Sequence, residues 1–322
     1  MNNIKTLTII GNGFDLHHEI KSSFSNFQTW LIENQKKLYD EIVQLYNISD
    51  NKWWNEFEKN LGTLDIEKYA DKIICKCKEK CYTNHQLIIE DEKNIFLNLL
   101  LSLKLSFKHW INELNAPNIN KKVSLTTENT FFINLNYTNT LQSLYRIKDE
   151  QILHIHGKNA SKLIDFIIGH NVTYPDAIRR ISESIPKEAD INIVSRFWTD
   201  ANTSKKLVER DCQEAAINIL ELLKKDTEGI ISENQNKFNS FQDVETINVY
   251  GFSFSEIDFP YLDEVIKVTD QNKVKWNISW YEQKDRNRIE KYMQQKGILY
   301  DKNGEQGTFK LVKLCELLLI KS

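Results

Sequence analysis

The chain has little of what interrupts regular structure. Its 322 residues include only 10 glycines and 4 prolines. Such scarcity predicts long helices and few irregular linkers, and it makes each glycine informative. Nowhere does an apolar run approach the ~20 residues that a membrane helix needs, so no membrane partner is expected. An excess of one charge sign is lacking too: 42 Lys and Arg stand against 45 Asp and Glu, for a formal net charge of −3. That balance excludes a global pull toward nucleic acid or anionic membrane and leaves only a local basic patch open. Cysteine is sparse, with five residues. Cys75, Cys77 and Cys81 form C-x-C-x-x-x-C in a lysine-rich helical stretch, without the C-x-x-C pair that a zinc site normally wants. They read as reduced cysteines filling a helix face. Residues 1–10 hold Lys5 and a strand-like run rather than a signal peptide, so a cytoplasmic protein is expected.

What is present is ordinary globular composition, 41% hydrophobic and 27% charged. The length suits one large domain with insertions, or two intimate domains. Leu7-Thr8-Ile9-Ile10 is a β-branched run ended by Gly11 and reads as a buried parallel strand. Thr130–Leu135, Ile152–Ile155, Phe166–Ile168, Thr246–Tyr250 and Val274–Trp280 read as further strands. From Lys36 to about Ala116 the pattern is almost wholly helical, and residues 174–240 are mostly helical again. Strands alternating with helices argue for an α/β fold, a parallel sheet flanked by helices. Residues 1–35, 117–173 and 241–322 form its core, with 36–116 and 174–240 as large helical insertions.

Several positions share one design, in which a strand ends, a glycine or polar residue turns the chain and a helix begins. In a parallel sheet such turns lie at the carboxyl ends of the strands, where ligands of open α/β sheets bind. Gly11-Asn12-Gly13 suits phosphate or ribose oxygens, although it lacks the third glycine of the dinucleotide fingerprint. Asp15 is placed to cap the helix or to meet a ribose hydroxyl. The period-2 rule puts Asn134 and Asn136 on one face and His154 and His156 on one face. Asn136, at a strand end, can orient a water or a substrate hydroxyl. Thr138 or Asn139 can cap the next helix. His156 suits general base work, and His170, after Gly169, can join the same crest. Ser253 can touch phosphate or ribose, while Ser255 and Asp258 resemble a capping box with a shorter acid. Glu56 and Glu58, beside Trp53 and Trp54, cannot share a helix face, so at most one points inward.

These segments together resemble the AbiH family of bacterial phage abortive-infection proteins. The matching pieces are Ile9–His17, Trp54–Gly62, Asn134–Leu141, His154–Gly157, Ile168–His170 and Gly251–Asp258. The order of motifs also looks like a more distant sirtuin-like pattern, which implies a Rossmann-like core. Sirtuin-like domains in several prokaryotic defence proteins hydrolyse NAD. By that likeness Gly11 and Gly13 match the nucleotide loop, Asn136 the catalytic Asn and His156 the catalytic His. Asn12 stands where sirtuins usually have Ala, and Thr138 where an Asp is usual, which leaves the ribose contact open. The zinc-binding cysteine pairs of the deacetylases are absent, which argues against protein deacetylation.

The resulting expectation is an antiphage effector that hydrolyses NAD or a related nucleotide at the N-glycosidic bond. Asn136 and His156 would be catalytic, and Gly11, Asn12, Gly13, Asp15, Thr138, His170 and Ser253 would hold the nucleotide. No cofactor is required, because NAD or its relative is the substrate or ligand. Two alternatives stand beside it: a non-catalytic nucleotide sensor acting through protein partners, and a metal-dependent hydrolase using His154 and His156. A phage or host protein trigger and a homo-oligomer are open partners.

Overall fold

The computed structural model describes residues 4–80, 84–158, 166–171, 201–301 and 308–317, with the backbone alone for 201–204. By its contacts the chain divides into two compact units. The first comprises Met1–Trp30, Phe107–Ile167 and Asp226–Ser322, and the second comprises Leu31–Ser106 and Ile168–Lys225.

The first unit is built on a six-stranded sheet. Its strands are β1 (Thr6–Ile10), β2 (Thr130–Asn134), β3 (Ile152–His154), β4 (Thr246–Tyr250), β5 (Lys275–Ser279) and β6 (Phe309–Val312). They run in the order β3-β2-β1-β4-β5-β6, and every pairing is parallel. This is a Rossmann-like arrangement, with the reversal of strand order between β1 and β4. The parallel sheet agrees with the sequence expectation. Two details differ. The apolar run Phe166-Ile167-Ile168 is not a strand. Phe166 instead stacks on Tyr137, with ring centroids 5.6 Å apart and planes within 10°, and the Tyr137 hydroxyl donates to Ile167 O at 2.8 Å. β6 carried no clear signal because it is a four-residue strand with an exposed Lys310.

Alternation assigns each face of the sheet a task. Leu7, Ile9, Phe131, Ile133, Ile247, Val249, Trp276 and Ile278 pack with Phe238, Phe241, Leu262 and Val265 in one apolar cluster. The other face is mixed. Ile10, Phe132, Ile152 and Tyr250 join Phe14, Leu141 and Tyr145, but Thr8, Asn248 and Asn277 occupy matching register positions there. They satisfy one another, with the Asn248 amide donating to Thr8 Oγ1 at 3.3 Å and the Asn277 amide to Asn248 Oδ1 at 2.7 Å. A polar ladder of this kind meets the hydrogen-bonding needs of buried polar groups.

The second unit is helical among its described residues. Helix Ile66–Glu79 and helix Ala201–Glu221 bury Ile73, Ile74, Cys77, Cys212, Ala216 and Leu220 in one cluster. Cys77 therefore fills a helix face as expected, with its sulfur 3.8 Å from that of Cys212. Cys75 is exposed, and Cys81 lies outside the described residues, as do 174–200 of the expected second insertion.

The register is flush where it matters. Ile10 pairs with both Asn134 and Tyr250, and Asn134 pairs with His154. The turns that follow β1, β2, β3 and β4 therefore leave the sheet at one level. Two of them touch backbone to backbone. Gly11 N donates to Tyr250 O at 3.0 Å, and Gly13 N donates to Gly251 O at 2.8 Å. Gly251 has φ +66°, and a Cβ there would lie 1.9 Å from Phe14 N. Gly297 has φ +73° but open space around it. Gly297→Ala should therefore cost only about 1 kcal/mol of left-handed backbone strain. Gly251→Ala should cost about 2 kcal/mol or more, because the collision adds to the strain. Urea unfolding of the two variants checks this, and equal losses would contradict the interlock.

Candidate active site at the carboxyl ends of the strands

Several of the residues singled out around these turns are joined by hydrogen bonds in the first unit. Asp15 sits in the first turn of helix Asn12–His17 and is 1% exposed. It is not a helix cap. Its carboxylate accepts from the Thr138 hydroxyl at 2.6 Å and from the Thr140 hydroxyl at 2.7 Å. Helix Thr140–Tyr145 has Asn139 at its N-cap position, and that residue makes no side-chain cap. Burial pushes the Asp15 carboxyl up to about 6, with the Thr138, Thr140 and Asn136 hydrogen bonds working the other way. Asn136 is 5% exposed and donates from its amide to Gly11 O at 3.1 Å, while its backbone N–H donates to Asn134 Oδ1 at 3.0 Å. The turn after β2 is thus tied to the turn after β1 by Asn136 and again by Asp15.

The glycine turn is committed in a way that its sequence did not announce. The Gly11 and Gly13 amides bond carbonyls of the β4 end, so they do not present themselves to a phosphate. Asn12 exchanges two hydrogen bonds with Ser22, from its amide to Ser22 O at 3.0 Å and from the Ser22 hydroxyl to its own Oδ1 at 2.6 Å. Ser253 is exposed on the turn after β4. The neighbouring Phe254 has φ +52° and is buried.

His154 and His156 differ sharply. His154 Nε2 accepts from the Gln142 amide at 2.9 Å, and the Asn134 amide lies 3.4 Å from Nδ1. Burial, aided by Lys158, pulls His154 down to about 4, so it is neutral. Among the described residues no group of three His, Cys, Asp or Glu is arranged to hold a metal ion, and the alternative of a His154–His156 metal pair lacks a third ligand there. His156 is 3% exposed, its Nδ1 lies 3.2 Å from Leu135 O, and its Nε2 faces Asp258 Oδ1 at 3.5 Å. Asp258 is the residue that sequence reading missed. It looked like the acid of a capping box, but Ser255 makes no side-chain cap and Asp258 ends the 3₁₀ turn Glu256–Asp258 with its carboxylate toward His156. Only its placement seven residues past Gly251, on a strand-end turn, offered a signal.

A cavity of about 600 Å³ opens beside the β3 end, lined by Ile152, His154, Ile155, Gly157, Lys158 and Asn234 among others. Its size is that of a small-molecule site. Its lining does not include Asp15, Asn136, His156 or Asp258, and it adjoins them through the 154–158 segment and Ile167.

His170 belongs to the second unit. It is fully buried, its Nε2 is 3.2 Å from Leu220 O, and it bonds through its backbone to Leu223 and Lys225. Of the paired glutamates, Glu56 is exposed beside Lys59. Glu58 meets the buried Lys225 at 3.1 Å, so one carboxylate points inward. Trp54 stacks between Tyr39 and Phe57 as core, with ring centroids at 5.8 and 5.3 Å.

The sequence matches a family model described as bacteriophage abortive infection AbiH over residues 7–280. The chain belongs to the AbiH family. The match takes in all the turns described above, and the family description points to a role in phage abortive infection. No curated protein and no solved structure matches the chain, so the sirtuin-like resemblance has no relative behind it. No helix among the described residues is long and apolar enough to cross a membrane.

The buried Asp15 makes a signed prediction. Its folded value of about 6 exceeds the ordinary aspartate value of 3.8. The folded state therefore holds the proton more tightly, and the stability this gives at low pH is lost as pH rises through 6. His18 and His154, both held near 4 mainly by burial, act oppositely: their contribution is complete above 6.5 and lost as pH falls toward 4. Asp15→Asn removes only the first effect. Between pH 5 and pH 8 its stability relative to wild type should rise by about 1 to 1.5 kcal/mol. Urea unfolding at the two pH values measures this, and a pH-independent difference would contradict a buried, proton-binding Asp15.

Proposed function

We propose that this AbiH-family chain is an abortive-infection effector that hydrolyses NAD or a related nucleotide at the N-glycosidic bond. The observation that carries the reading is that Asn136 and a buried His156 follow the carboxyl ends of adjacent strands in a Rossmann-like sheet. Such crevices are where α/β folds take nucleotides. The bond from ribose to the base breaks through a cation-like sugar, so the site has to orient a water and take its proton. His156 is the base, with Nδ1 steadied by the Leu135 carbonyl. Asn136 orients the water or the ribose. Asp15 and Thr138, locked to each other, hold the Asn136 turn in register, and Ser253 is exposed where a phosphate or ribose oxygen can reach it.

A second reading has its own support. Asn12, Asn136 and Asp15 already have partners within the protein, which suits a nucleotide-binding sensor that does no chemistry and acts through protein partners. Purified protein incubated with NAD, with nicotinamide release followed by chromatography, separates the two. The hydrolase reading predicts release, reduced about 10²- to 10⁴-fold in His156→Ala. Tight binding of NAD that is recovered intact would favour the sensor.

A further inference from the structure

His156 turns one ring nitrogen toward a carbonyl and the other toward an acid. A carbonyl oxygen only accepts, so the bond from Nδ1 to Leu135 O keeps the ring proton on Nδ1. Nε2 is then the basic atom, 3.5 Å from Asp258 Oδ1. The two side chains come from turns about a hundred positions apart, and both are largely withdrawn from water, at 3% and 12% side-chain exposure. Aromatic rings wall the pair. Tyr261, from helix Phe259–Val268, is 5.6 Å from the imidazole centroid, and Tyr137, from the turn after β2, is 6.0 Å away. Where water is excluded, a carboxylate acts on an imidazolium far more strongly than at a surface.

We propose that Asp258 is the positioning residue of His156, stabilising and holding the imidazolium that forms when Nε2 takes a proton. This rests on the hydrolase reading for its chemistry, though the pairing can be tested without it. In the reaction, the water oxygen forms its bond to ribose C1′, and the C1′–N bond breaks with its electron pair leaving on the base. One water proton moves to Nε2, where the new N–H donates to Asp258, and it passes to solvent in the next turnover. Among the described residues, the groups that face the ring include the Asp258 carboxylate, the Tyr137 and Tyr261 rings and the Leu135 carbonyl.

The test is an NMR titration of the histidine ring signals in the full chain, with His156 assigned by its loss in His156→Gln. In Asp258→Asn, which keeps the shape and removes the charge, His156 should titrate about one to three pH units lower than in wild type. Asp258→Glu should recover part of the difference. In NAD hydrolysis, Asp258→Asn should lower kcat about 10- to 100-fold with a smaller change in KM, and the acid limb of the pH profile should move with the NMR value. A titration unchanged in folded Asp258→Asn overturns the proposal, as does a shifted titration with kcat intact. A shifted titration in a protein that never releases nicotinamide leaves the pair in place and ends the hydrolase reading instead. If Asp258→Asn does not fold, the wild type decides: titration above the free-histidine value of about 6.5 supports the pair, and titration below it overturns the pair.

Discussion

The contact on which the site depends is the approach of two backbones at the centre of the sheet. The turns after β1 and β4 lie so close that Gly13 N–H reaches Gly251 O, and a single added carbon at Gly251 would strike Phe14 N. Glycine at these points is a demand of packing between neighbouring strand ends. Once the turns are interlocked, Gly11 O is held where the Asn136 amide meets it and Asp15 where Thr138 and Thr140 meet it. The flush register then sets His156 at the same level, within reach of Asp258.

A site assembled in this way is dry and costly. Asp15 is buried with hydroxyl partners rather than a cation, so its proton is held to about pH 6. His18 and His154 are buried as neutral rings. Folding has to meet these costs from the apolar face of the same sheet, where Leu7, Ile9, Ile247, Val249, Trp276 and Ile278 are nearly or wholly sealed from solvent. The division of labour between the faces, one apolar and one carrying Thr8, Asn248, Asn277, Asn134 and His154, is what lets polar side chains stand at the sheet's edge without dissolving its core.

Much of this was legible in the sequence because it is local. Five of the six strands are apolar runs closed by glycine or a polar residue, and the turns follow directly from their ends. The failures arise where tertiary contacts overrule local pattern. Phe166-Ile167-Ile168 looks like a strand until Tyr137 takes Phe166 as a stacking partner. Ser255 and Asp258 have the spacing of a helix cap, yet Asp258 turns to a histidine a hundred residues away. His170 follows a strand-like run just as His156 does, but the chain carries it into the second unit, where it bonds the end of helix Ala201–Glu221. No period or motif encodes those destinations.

The interlock also changes what the glycine turn means. Read as sequence, Gly11-Asn12-Gly13 invites a phosphate; read as structure, its two glycine amides serve the protein. Amide hydrogen exchange resolved at single residues tests this most directly. The account predicts that Gly11 and Gly13 N–H exchange slowly in the ligand-free protein and change little when NAD is added. Rapid exchange without ligand, with protection appearing only on adding NAD, would contradict it and return the turn to the role of a phosphate cradle.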